Sequence, residues 1–144
     1  MRLLLPQLAA VSTMSVGAAS HIYHMCDAED LQKQGEMYFP PTYEQDGFVH
    51  ATENPSDLLG VGNHFYKSAK GSWVCLKLDV TLLNAKVIYE SPAPVGNTES
   101  HHKEEDAGPL FPHIYGGIPI AAITERFDIQ RGPDGSFDSM EGLC

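Results

Sequence analysis

The sequence predicts an α+β fold, in which short strands and short helices mix without the βαβ rhythm of a doubly wound sheet. Three observations carry this. "SWVCLKLDV" (72–80) alternates, with Trp73 and Cys75 on one side and Val74, Leu76 and Leu78 on the other, as a strand does. "NPSDLLGVGNHFYK" (54–67) instead repeats its apolar residues at helical spacing, with Leu58, Leu59, Val61, Phe65 and Tyr66 on one face and His64 beside it. The length of 144 residues and hydrophobic content of 42% suit one domain with one modest core.

The elements follow in order. "HIYHM" (21–25), aromatic and β-branched, reads as a first strand running to Asp27. "DAEDLQKQG" is a short helix capped by Asp27 and stopped at Gly35. "MYFPPTYEQ" is broken by proline and extended. "GFVHAT" (47–52) is a short strand after an Asp46-Gly47 turn. Asn54 caps the next helix, with Pro55 at its first position. "AKVIYES" (85–91) is another strand. Residues 92–110 are polar, punctuated by Pro and Gly, and read as a surface loop. "FPHIYGGIP" resumes apolar character, and "AAITERFDIQ" (121–130) closes as the last strand.

Residues 1–19 read as a secretory signal peptide. Arg2 precedes an uncharged, apolar stretch that ends in small residues, with cleavage expected after Ala18 or Ala19. The secretory pathway or the outside of the cell is therefore the expected location, and an organelle transit peptide is the competing reading. The stretch is too short and too interrupted by Ser and Thr for a stable membrane span. Residues 20–131 form the single α+β domain, and the Gly-rich, acidic tail 132–144 is expected to be loose.

The net charge of −10, with nine basic residues of which only Arg2, Arg126 and Arg131 are arginines, argues against nucleic acid as a partner. An anionic membrane surface is disfavoured on the same ground. The three cysteines, Cys26, Cys75 and Cys144, form no C-x-x-C motif, so neither a zinc ribbon nor a thioredoxin-like site is expected. One pair could join in an oxidising compartment, with the pairing open.

Three histidines sit beside large apolar residues: His24 in "HIYHM", His50 in "DGFVHAT" and His113 in "FPHIYGG". Such a histidine is either a packed, hydrogen-bonded ring or a member of a site. A zinc site of three histidines is one reading, but these three have no i, i+2 or i, i+4 spacing, and His21 and His24 point to opposite sides of a strand. "HHKEED" (101–106) is read as a solvated loop rather than a metal site.

"IYHM", "DGFVHAT", a helix ending in "HFY", "LKLD", "VIYE" and "LFPHIYGGIP" occur in that order. Together they resemble the family catalogued as domain of unknown function nine-five-two, from residue 21 to about residue 128. The sequence departs from it at Ala51-Thr52, where the family usually shows Leu-Ser, in a longer loop over 91–110, and in the leader. The resemblance implies an ADP-ribosyltransferase-like fold, a split and bent β-sheet around a cleft for NAD. It further implies that His24 contacts the ribose and nicotinamide groups. Glu90, closing a late strand, would hold a ribose hydroxyl and orient the nucleophile. Tyr66 or Tyr115 would stack on the nicotinamide. His50 and His113 join this candidate catalytic set, and Thr52 is either a ligand contact or a helix cap. The function so implied is binding, with cleavage, of an NAD-like or nucleotide-like small molecule. A ligand- or partner-binding module without catalysis is the alternative, favoured by the absence of any arginine between residues 21 and 125. Backbone amides of the helix that starts at Asn54 could take the place of arginines as phosphate ligands.

Overall fold

A computed structural model describes residues 19–99 and 110–142. The chain folds as a mixed α/β structure with curled antiparallel sheet and few short helices. The strands are β1 (His21–Asp27), β2 (Met37–Tyr38), β3 (Val49–His50), β4 (Trp73–Asp79), β5 (Lys86–Glu90), β6 (Phe111–Tyr115), β7 (Ile118–Pro119), β8 (Ile123–Arg131) and β9 (Phe137–Met140). The helices are α1 (Ala28–Gln32), α2 (Tyr43–Asp46) and α3 (Asp57–Phe65). One sheet runs β1-β4-β8-β9, a second β3-β6-β5, and β2 pairs with β7; every pairing is antiparallel.

Along β4 and much of β1 both faces of the four-stranded sheet are buried, although antiparallel sheets commonly leave one face to solvent. The alternation in β4 explains it. Val74, Leu76 and Leu78 enter one cluster with Ile22, Tyr38 and Ile114, on the side of the three-stranded sheet. Trp73 and Cys75 enter the other with Met25, Leu58 and Phe137, on the side that α3 covers. Cys26 and Cys75 are free and buried in opposite clusters, so they cannot pair with each other. Burial pushes both thiols up to about 12, leaving them inert at neutral pH. Cys144, the leader up to residue 18 and the "HHKEED" stretch lie outside the described residues. Among the described residues no helix is long and apolar enough to cross a membrane.

Local chemistry sets the helix ends. Asp27 caps α1 by accepting from the Glu29 amide at 2.8 Å, but the helix ends at Gln32, with Lys33 as its C-cap, before Gly35. α3 begins at Asp57, two residues later than Asn54 and Pro55 predict. Asn54 instead organises a preceding turn, its side chain accepting from the Ser56 amide and hydroxyl at 3.0 and 2.8 Å. Gly62 lets α3 approach the sheet: a Cβ there would stand 2.7 Å from Phe137 and 2.8 Å from Met25.

Four sequence expectations are corrected. The extended segment after Tyr38 contains a helical turn, α2, closed by Gly47 at φ 85°, a left-handed conformation that favours glycine. β8 is not the last strand, and the tail from Gly132 is not loose through residue 142. Pro133-Asp134-Gly135 turn the chain back, and β9 pairs with β8 and buries Phe137 and Met140. The loop after Glu90 is not wholly at the surface, because Val95 is buried.

Phe137 packs edge-to-face on Trp73 at 5.7 Å, with the Arg131 guanidinium 4.2 Å from its centroid. Phe137→Ala is expected to cost about 3–5 kcal/mol, the usual range for a buried phenylalanine, measured by urea unfolding. A loss under about 1 kcal/mol would mean that the tail contributes nothing to the core.

Candidate functional site

The two sheets meet at one backbone bridge. The Tyr23 amide donates to the Thr52 carbonyl at 2.7 Å, and the Thr52 amide returns to Tyr23 at 2.8 Å. Away from the bridge the sheets part, and α3 and the segment 92–95 wall a partly open cleft. The cavity it encloses is ≈ 60 Å³, well below the usual size of small-ligand pockets, so a ligand seated there would lie partly in the open mouth of the cleft.

His24, His50 and His113 all border this cleft, from β1, β3 and β6. His50 and His113 lie directly opposite in the β3–β6 register, their rings 5.6 Å apart and edge to face. Each imidazole is oriented by an oxygen that can only accept, which fixes its tautomer. His24 donates from Nδ1 to the His50 carbonyl at 2.6 Å. His50 donates from Nε2 to Asp46 Oδ2 at 3.0 Å. His113 donates from Nδ1 to Glu90 Oε1 at 2.7 Å. The lone pairs are therefore on His24 Nε2, His50 Nδ1 and His113 Nε2. His24 Nε2 is buried and has no hydrogen-bond partner.

All three rings are neutral at pH 7. Burial lowers His24 to about 4, against the pull of its backbone hydrogen bond. Burial also lowers His50 and His113, with the Asp46 and Glu90 carboxylates opposing it. Glu90 is held below the ordinary carboxylate range by the Tyr115 hydroxyl, donating at 2.6 Å, and by His113. The site thus offers three acceptors and no strong acid.

Tyr66 and Thr52 border the cleft; Glu90 and Tyr115 do not. Glu90 stands behind His113, and Tyr115 stands behind Glu90. Thr52 caps no helix: its hydroxyl donates to the Asn54 carbonyl at 3.0 Å. Two contributors escaped the sequence reading. Phe48, given no role there, stacks on His113 with centroids 4.1 Å apart. Asp46, read only as a turn residue, orients His50 and accepts from the Gly96 amide at 3.0 Å, tying the segment beside Val95 to the site. The four-residue spacing of Asp46 and His50 across Gly47 was the available signal. Among the described residues no group of three His, Cys, Asp or Glu side chains could hold a metal ion, so the zinc reading finds no support there.

His24 makes stability depend on pH. It titrates at 6.5 unfolded and at about 4 folded, so the unfolded chain takes up the proton first as pH falls. Stability is full above 6.5, falls between 6.5 and about 4, and loses no more from this group below that. By pH 5 the loss from His24 is expected to be about 2 kcal/mol, measured by urea unfolding at pH 7 and pH 5. His24→Gln is expected to flatten that slope; an unchanged slope would assign it to other groups.

Comparison with solved structures finds protein CC0527 from Caulobacter crescentus, as a double mutant and without those substitutions. Each has a TM-score of 0.62 and 16% identity, covering 82% of this chain and 93% of that chain. At that identity the likeness speaks for the fold alone. Comparison with curated proteins finds no match. Residues 22–126 match the family described as "Protein of unknown function (DUF952)". With that match spanning the strands that carry all three cleft histidines, the chain belongs to the DUF952 family.

Proposed function

We propose that the cleft binds an NAD-like or nucleotide-like small molecule and cleaves its N-glycosidic bond, as an ADP-ribosyltransferase-like domain. The observation that carries this reading is the meeting of three neutral, orientation-locked imidazoles at one apolar cleft. Such cleavage passes through an oxocarbenium-like state, which gains from positioning and from nearby negative charge. The Asp46 and Glu90 carboxylates, behind His50 and His113, supply that charge.

His113 serves as general base. Glu90 holds its Nδ1 proton, so Nε2 can take the proton of the attacking hydroxyl. Glu90 is thus a positioning residue, not the direct ribose ligand that the resemblance implies. Tyr66 and Phe65 offer ring surfaces for a heterocycle. The leader reading adds the secretory pathway as the place of action. The alternative, a binding module without turnover, is favoured by Glu90 reaching the cleft only through His113.

Nicotinamide release from NAD, followed by chromatography, tests the reading. His113→Ala is expected to lower release about 10²-fold or more, the usual scale for losing a general base. Glu90→Gln is expected to lower it less and to move the acid limb of the pH–rate profile. Thermal shift measures binding separately. A ligand shift without release leaves the binding module; neither shift nor release overturns both readings.

A further inference from the structure

Resting on the reading just given, the geometry points to a narrower ligand class: a phosphate-free riboside whose heterocycle is a pyridinium, in place of the whole dinucleotide. The argument begins with what a phosphate would meet. No lysine or arginine lines the cleft among the described residues. Lys67, Lys70 and Arg131 line a separate depression. Arg131 there donates to the carbonyls of Gly71 and Gly135 at 3.0 and 2.8 Å, and Lys67 faces Asp134 at 3.6 Å.

Backbone amides do not replace those cations. At the start of α3 the Ser56 amide donates to Asn54 Oδ1, and the Asp57, Leu58 and Leu59 amides donate to the Asn54, Pro55 and Ser56 carbonyls. Asp57 adds a carboxylate to that first turn. The expectation that these amides could hold phosphate is therefore corrected: their hydrogens are already taken. Behind two of the imidazoles stand Asp46 and Glu90, so a phosphate would give up its hydration for a negative surrounding.

What the cleft does offer suits the other end of such a molecule. His24 Nε2, buried, unpartnered and fixed as an acceptor, needs a hydroxyl or amide N–H, both of which a nicotinamide riboside carries. Tyr66 and Phe65 line the cleft, and a cationic heterocycle gains from aromatic neighbours.

The chemistry of departure agrees. A water oxygen bonds to C1′ while the C1′–N bond breaks and its electron pair returns to the ring nitrogen. The water proton passes to His113 Nε2. A pyridinium leaves as neutral nicotinamide and needs no acid. A uracil or purine base would leave as an anion unless protonated, and burial holds all three imidazoles in the unprotonated form.

Titration calorimetry of the full 144-residue chain with nicotinamide riboside, nicotinamide mononucleotide, NAD and uridine tests this, with base release followed in parallel. The expected result is an affinity for the riboside about tenfold above those for the mononucleotide and NAD, with no uracil released from uridine. Affinity for the mononucleotide or NAD equal to or above that for the riboside overturns the phosphate-free class and leaves the proposed function standing. Uracil release as fast as nicotinamide release overturns the pyridinium requirement. No binding by any of the four overturns the proposed function with it.

Discussion

Two backbone hydrogen bonds between Tyr23 and Thr52 join β1, an edge of the four-stranded sheet, to the chain just past β3, an edge strand of the other sheet. The site depends on that junction together with the apolar cluster packed between the sheets. Were the two sheets paired along their whole edges, their backbone groups would close the gap and leave no cleft. The bridge sets His24 beside the strand that carries His50. Next to the bridge, His24 donates to the His50 carbonyl across the seam. A buried carbonyl left without a donor would cost about 1–3 kcal/mol. His24 is thus a satisfied structural histidine through Nδ1 and an open acceptor through Nε2. The two readings of such a residue, packing or site, apply to different nitrogens of one ring.

Asp46 has a similar double role. Its carboxylate fixes the His50 tautomer and also accepts the Gly96 amide, while the neighbouring Gln45 donates to the Gly96 carbonyl at 2.9 Å. The wall of the cleft that carries Val95 is therefore tied to the same carboxylate that orients an imidazole. A buried carboxylate is costly unless its lone pairs are used, and here both oxygens are engaged.

The parts legible in the sequence are those written in local patterns. β4 was readable because its alternation feeds two different clusters, and β5 because a β-branched pair is bounded by turn residues. α1 was readable from the Asp27 cap. The missed parts depend on contacts distant in sequence. β9 holds only two buried side chains, Phe137 and Met140, three residues apart, and they are strand residues only because β8 is there to pair with. Val95 sits in a polar stretch whose composition says surface, and only the site it covers makes it buried. Glu90 hydrogen-bonds His113, but its place outside the cleft depends on the β5–β6 register, which no local pattern states.

That register also explains how residues so far apart in the chain make one site. Val49 pairs with Ile114 and turns to the core, while His50 pairs with His113 and turns to the cleft. Because side chains alternate strictly along a strand, a slip of β3 by one residue would turn its side chains to the opposite faces, while β6, paired with β5 on its other side, would keep its own. It would drive the His50 imidazole into hydrocarbon and turn Val49 out of it. The apolar pair therefore holds the polar pair in place: Val49, fully buried in the same cluster as Ile114, makes the slipped pairing unfavourable by the area it would expose. The core residues that carry no chemistry thus decide where the chemistry stands.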